Sequence, residues 1–269
     1  MEKNAMRCAK ADFFEPLVSG RIMNSTVEIV AHRGASHEAP ENTLASVNLG
    51  WAQNADAVEI DVHLTQDGEV VAIHDPTLLR TTGRDARVDE LTLADIQGLD
   101  AGIWKAAAYR GERVPTLAAV LATVPAGKKI FIELKETPGL VPALKKVAER
   151  SALAASAMVL ISFDATALLD AKHALPGCRA LLLLDTPEGA PERLPEWIAL
   201  CQVSGFDGLD VSAGWAIDAR LVDRLRTHGL QLHVWTVNDP RRACELAQAG
   251  VVSITTDRPG WLRNQLAEA

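Results

Sequence analysis

Val27-Glu28-Ile29-Val30-Ala31-His32-Arg33-Gly34 opens a stretch that continues through Pro40-Glu41-Asn42-Thr43-Leu44 to Ala57-Val58-Glu59-Ile60-Asp61. Its first and last runs are short, apolar and β-branched, as in strands covered on both faces. Between them Leu44, Val47 and Trp51 recur on one face of a helix that Asn42 or Thr43 can cap. The unit is strand, helix, strand, and charged residues cluster where the strands end.

The same alternation runs down the chain. Further strands are expected at 70–74, 129–133, 158–162, 179–184, 208–211, 231–235 and 252–255. Ile217, Leu221 and Leu225 share a helical face ahead of His228-Gly229, a C-terminal stop. Asp239-Pro240 pairs an N-cap with a proline at the first helical position. Asp67-Gly68 signals a tight turn, so Val70–His74 reads as a hairpin arm folded back on the preceding strand. With that arm set aside, eight strands separated by helices remain, the count and order of a TIM (β/α)8 barrel. The alternative is an open doubly wound sheet, whose dinucleotide-binding form is weakened by the lack of GxGxxG after the first strand. Residues 76–114 hold one short helical stretch, Thr92–Leu99, and read as an insertion on the catalytic face. Residues 1–26 read as a poorly ordered N-terminal extension, and 27–269 as a single catalytic domain.

The chain has 269 residues, 48% hydrophobic and 23% charged, ordinary values for a globular protein with a real core. Its net charge of −8 argues against nucleic acid and anionic membranes as partners. Cys8, Cys178, Cys201 and Cys244 show neither CxxC nor zinc spacing and fit a reducing compartment. No apolar run reaches the roughly 20 residues of a membrane span. Glu2, Lys3, Arg7, Lys10, Asp12 and Glu15 interrupt the start, which lacks the apolar core of a secretory signal. These features lead to the expectation of a cytoplasmic protein without stable membrane association.

In such barrels the strands' C-terminal ends build the active site. Those ends carry His32 and Arg33, Glu59 and Asp61, His74, Glu133 and Lys135, Ser162, and Trp235. Glu59 and Asp61 point to one side of their strand. With Glu133 across the barrel they form an oxygen cage suited to Ca²⁺ or Mg²⁺; the bland reading is that each carboxylate only pairs with Arg33 or Lys135. Two histidines at adjacent strand ends suit a general acid and a general base. Arg33 offers a planar fork to two phosphate oxygens. Lys135 either adds charge for the same anion or pairs with Glu133, and Trp235 walls the pocket or fills the barrel. His37, His63, His173, His228 and His233 are set aside as catalysts, His63 because it is expected to face away from Asp61.

These motifs resemble the glycerophosphodiester phosphodiesterases. The resemblance rests on His32-Arg33-Gly34 with Pro40-Glu41-Asn42-Thr43, on Glu59-Ile60-Asp61 through Gly68, and on His74-Asp75 with Arg80-Thr81-Thr82. It continues through Ile132-Glu133-Leu134-Lys135, Ser162-Phe163, Trp235-Thr236-Val237-Asn238 and Thr256-Asp257-Arg258-Pro259, spanning roughly residues 27–262. It implies a TIM barrel that hydrolyses glycerophosphodiesters to glycerol 3-phosphate and an alcohol. It further implies one divalent metal, Ca²⁺ or Mg²⁺, on Glu59, Asp61 and Glu133, with His32 and His74 as the acid/base pair. Arg33 and Lys135 would hold phosphate, with Trp235 at the substrate. The size resembles the small bacterial cytoplasmic members. Gly208-Leu209-Asp210-Val211-Ser212 matches no motif of the family.

Rival readings are a lysophospholipase D or phosphoinositide-type phosphodiesterase on the same barrel, and a non-catalytic phosphate-ester binding protein. The first needs a greasy approach to a bilayer, for which 76–114 offers only Ile103, Trp104 and Tyr109. The second expects a lost ligand or histidine, and none is lost. A phosphate-binding isomerase barrel fits poorly, because its glycine-rich loops after strands seven and eight are missing.

Overall fold

The first strand, β1 (Glu28–Ala31), pairs in parallel with both the second and the last strand of the chain, which closes the sheet into a barrel. The structure is a computed structural model and describes residues 27–135, 138–185 and 190–268. The expected extension 1–26 lies outside the described residues.

After β1 come α1 (Leu44–Ala52), β2 (Ala57–Leu64), the arm β3 (Val70–Ala72), α2 (Leu79–Thr82), α3 (Leu93–Gln97) and α4 (Leu117–Leu121). Strict alternation then follows: β4 (Lys129–Leu134), α5 (Leu140–Arg150), β5 (Met158–Ser162), α6 (Ala165–Ala174), β6 (Arg179–Leu184) and α7 (Ala190–Ser204). It ends with β7 (Gly208–Ser212), α8 (Ala219–Thr227), β8 (Gln231–Trp235), α9 (Pro240–Ala249), β9 (Ser253–Thr256) and α10 (Pro259–Glu268). The eight strands other than β3 pair in parallel around the barrel, and β3 pairs antiparallel on β2 as the hairpin arm. This is the TIM (β/α)8 barrel expected from the sequence.

Local chemistry sets the element ends. Thr43 caps α1, accepting from the Ser46 amide in a reciprocal capping box, so the choice between Asn42 and Thr43 falls to Thr43. Asp239 caps α9 with Pro240 in its first turn. Most strands match their expected bounds within a residue. The exceptions are β2, which runs to Leu64, three residues past Asp61, because β3 continues to pair with it, and β3 itself, which ends at Ala72, two residues short of His74.

Alternation along the strands sorts the side chains into two cores. On β2, Val58, Ile60 and Val62 face outward to the helices and join Ile130, Ile132 and Leu160 in the main core. Each such side chain, fully buried, contributes about 1.5–3 kcal/mol. Val30, Phe131, Val159, Leu181 and Leu183 fill the barrel's interior below the site. The insertion has its own small cluster, in which Leu78, Val88 and Ile96 pack on Val71 and Ile73 of the hairpin arm. Lys105 and Tyr109 tie it to the loop after β1 by donating to the carbonyls of Ser36 (2.7 Å) and Glu38 (3.0 Å).

Candidate active site

The chain leaves β1 through two consecutive left-handed residues, Arg33 (φ 55°) and Gly34 (φ 82°). Gly34 is required there: a Cβ would lie 2.4 Å from the backbone carbon of Ser46. This turn brings the Arg33 amide to Glu59 Oε2 (2.9 Å) and the Arg33 side chain over the end of β2. Asn42, also left-handed, donates to Asp61 Oδ2 at 2.7 Å and accepts from the Asp61 amide at 3.2 Å. The loop between β1 and α1 is thus fastened to the two acidic residues of β2.

Glu133 stands beside Asp61 in register on the adjoining strand, not across the barrel as expected from the sequence. The reason is that β3 is a side arm, which leaves β4 as the direct neighbour of β2. Oxygens of Glu59, Asp61 and Glu133 lie within 4.8 Å of one another. Burial, then repulsion from Asp61 and Glu133, raises the Glu59 carboxyl well above the ordinary range. Burial and Asp61 likewise raise Glu133. Asp61 moves the other way: burial opposes ionisation, but Lys135 and Arg33 outweigh it and hold the group ionised. Lys135 Nζ reaches Asp61 Oδ1 at 2.8 Å and also contacts Glu133. Glu59 Oε1 is buried without a hydrogen-bond partner. Crowded, partly unsatisfied carboxylate oxygens are the donor set a hard divalent cation requires, so the cluster can hold one.

Two histidine–aspartate pairs flank this cluster. His32 Nδ1 lies 2.7 Å from Asp257 Oδ1, and His74 Nδ1 lies 2.7 Å from Asp75 Oδ1. Burial works against ionisation of Asp257, but hydrogen bonds from His32, Asn238 and Ser36 hold it at about 2. Asp75 is held at about 2 chiefly by Arg80. A proton kept on Nδ1 by the carboxylate leaves Nε2 as the nitrogen that trades protons with a bound group. Arg80 bridges Asp75 and Glu41, and Glu41 also takes the Arg33 guanidinium at 2.9 Å. Arg33 Nε completes the chain at 3.2 Å from Asp61 Oδ2.

His32, Arg33, Glu59, His74, Glu133 and Lys135 line one cavity of about 180 Å³, shared with Phe163, Asp210 and Trp235. Trp235 forms its wall, edge-to-face with Phe163 at 5.6 Å, while packing on the inner barrel core. Of the nine strand-end residues read from the sequence, eight, namely His32, Arg33, Glu59, Asp61, His74, Glu133, Lys135 and Trp235, meet at this cavity, with Asp61 just behind the lining under Arg33 and Lys135; Ser162 instead donates to the Leu134 carbonyl at 3.0 Å. A larger groove of about 960 Å³, beside Val124, Lys128 and Leu153, lies at the strands' opposite ends and holds none of them.

A further expectation from the sequence is corrected at His63. His63 faces the same side as Asp61, because residues two apart on a strand share a face and β2 continues past Asp61. It is buried, and its Nε2 meets the His74 carbonyl at 3.1 Å. The sequence reading also assigned no part in the site to Glu41, Asn42, Asp75, Arg80, Asp210 or Asp257, and gave Asn42 only as a candidate helix cap. Asp75 and Asp257 sit within quoted motifs, and Asp210 is a lone charge between Leu209 and Val211, which was the available signal.

Residues 32–261 match the glycerophosphoryl diester phosphodiesterase family. The glycerophosphodiester phosphodiesterase of Caldanaerobacter subterraneus subsp. tengcongensis is 33% identical over 242 residues, 88% of this chain and 96% of that protein. The Bacillus subtilis glycerophosphodiester phosphodiesterase is 33% identical over 248 residues, 86% of this chain and 83% of that protein. Among solved structures, an Oleispira antarctica phosphodiesterase in complex with the product sn-glycerol-3-phosphate superposes with a TM-score of 0.79 at 29% identity, covering 90% of this chain and 97% of the other.

Proposed function

The chain belongs to the glycerophosphoryl diester phosphodiesterase family, and from that premise we propose that it is a metal-dependent hydrolase of glycerophosphodiesters, releasing glycerol 3-phosphate and an alcohol. The observation that carries the reading is the pair of aspartate-backed histidines flanking three clustered carboxylates in one cavity with Arg33 and Lys135.

Glu59, Asp61 and Glu133 would hold one divalent cation, Ca²⁺ or Mg²⁺. Bound there, the ion supplies Lewis-acid polarisation of a phosphate oxygen. Arg33 and Lys135 orient the phosphate and offset charge gathering on its oxygens. Of His32 and His74, one takes a proton at Nε2 from the nucleophile, water or the substrate's own 2-hydroxyl. The other gives its Nε2 proton to the leaving alcohol oxygen. Trp235 and Phe163 exclude water from one side of the reacting phosphorus.

The catalytic unit is residues 27–269, including the 76–114 insertion, and its partner is the small diester. A cytoplasmic site of action fits the scattered cysteines. Among the described residues no helix is long and apolar enough to cross a membrane.

A second reading, a lysophospholipase D or phosphoinositide-type activity, draws support from Leu79 of α2 and from Ile103, Trp104 and Phe163, large apolar side chains exposed on segments that follow the catalytic ends of the strands. Glycerol 3-phosphate release from glycerophosphocholine and glycerophosphoethanolamine, against choline release from lysophosphatidylcholine vesicles, separates the two. Faster turnover of the two soluble diesters is expected; turnover of the vesicle substrate alone would replace the first reading with the second.

A further inference from the structure

Among the carboxylates lining the cavity, Asp210 has no part in the chemistry above. It lies on β7, in register between Leu183 of β6 and His233 of β8. Its neighbours Leu209 and Val211 join the outer core against the helices, so alternation turns Asp210 into the barrel. It is 1% exposed, and its Oδ1 is buried with no hydrogen-bond partner. The interior neighbours on β5 and β6 are apolar, Val159, Ile161, Leu181 and Leu183, while on β8 the interior neighbour is His233, whose ring nitrogens are engaged by Ser253 and Gln231 and not by Asp210. The Asp210 backbone carbonyl accepts from Trp235 Nε1 at 3.2 Å, which fixes the indole wall to the same residue.

An unpartnered polar oxygen buried in such surroundings costs roughly 1–3 kcal/mol, which an apolar side chain would not. The cost is recovered when a ligand supplies the missing hydrogen bond. The cavity's polar half, with Arg33, Lys135 and the histidines, is matched to phosphate, so the group that reaches Asp210 is the arm attached to it. We propose that Asp210 is a specificity-determining residue: its carboxyl, at the cavity floor, takes a hydroxyl of the substrate's glycerol arm and so favours polyol phosphodiesters over those with a plain alkyl arm. The proposal rests on the glycerophosphodiesterase reading given above.

The chemistry of the carboxyl agrees. Burial and the nearby Glu133 carboxylate push Asp210 up to about 8, so near neutral pH it offers both a donor and an acceptor. A hydroxyl complements both. A trimethylammonium head group has no N–H with which to satisfy Oδ1.

The test is calorimetric binding of sn-glycerol 3-phosphate and of n-propyl phosphate, which has the same carbon chain without hydroxyls, in saturating Mg²⁺ or Ca²⁺. A site built around a hydroxyl rejects the analogue that lacks it, so wild type is expected to prefer glycerol 3-phosphate by at least about tenfold. Asp210→Ala should weaken glycerol 3-phosphate about tenfold and leave n-propyl phosphate within about twofold, abolishing the preference. Asp210→Asn keeps a donor and an acceptor and should retain most of the preference. An unchanged preference in Asp210→Ala, or equal loss for both ligands, overturns the assignment. Wild type that releases glycerol 3-phosphate from glycerophosphocholine while Asp210→Ala keeps its preference sinks only the role of Asp210. Wild type that neither cleaves the diester nor binds its product sinks the functional reading and this proposal together.

Discussion

Arg33 holds a backbone conformation that few residues with a Cβ adopt, and the cost is met by what it makes possible. Its amide binds Glu59 while its guanidinium meets Glu41 and Asp61, so one residue links the phosphate-facing surface to the acidic cluster. An ammonium cannot reproduce that fork, and Arg33→Lys is expected to lower kcat/KM roughly 100-fold. Retention of wild-type kcat/KM would show that the fork is not used. For the histidines, His32→Ala and His74→Ala should each keep the wild-type circular dichroism spectrum and lose more than about tenfold in turnover. Activity near wild type in both variants would remove them from proton transfer. The strand-end rule made these residues legible, since it needs only a strand's end and the parity of the positions before it. Their aspartate partners were not legible as such. Asp257 is 225 residues from His32 and reaches it only because β9 closes the barrel against β1. Asp210 obeys the same strand-end logic, yet a single charge in an apolar strand carries no motif and was given no role.

At the scale of elements, the loop between β1 and α1 decides how well the site is built. Gly34 sits where any side chain would run into Ser46, whose own hydroxyl donates to the Arg33 carbonyl at 2.8 Å. Gly34→Ala therefore combines an unfavourable φ with a backbone clash, and a loss of roughly 3 kcal/mol is expected in chemical denaturation. A variant as stable as wild type would mean that the loop yields freely and does not fix Arg33. The element reading from sequence succeeded where local signals and burial agreed, as at the strands Met158–Ser162 and Arg179–Leu184. It fell short on β2, because the pairing that extends this strand to Leu64 comes from the hairpin arm and is a tertiary fact. The position of Glu133 beside Asp61 follows from the same arm. Until the arm is known to lie outside the barrel, the order of neighbours around it is open.

At the scale of the molecule, closure of the barrel couples the site to the stability of the fold. Asp257 stands where the last strand meets the first, and its carboxyl is held at about 2 in the folded chain against an ordinary 3.8. A depressed folded pKa stabilises the protein above the unfolded value, and the contribution is lost as pH falls through the folded one. Asp257→Asn should thus be less stable than wild type near pH 6, by on the order of 1 kcal/mol after allowance for solvent screening. The gap should close as pH falls from about 4 towards about 2. A gap that stays constant over that range would place the effect in packing and not in charge.

The central claim is that Glu59, Asp61 and Glu133 hold a divalent ion on which hydrolysis depends. Its most direct test is glycerol 3-phosphate release from glycerophosphocholine by enzyme stripped with EDTA, before and after Ca²⁺ or Mg²⁺ is restored. The account predicts that release stops on stripping and returns with one of the ions in wild type, but not in Glu59→Gln. Undiminished release by the stripped enzyme would contradict it.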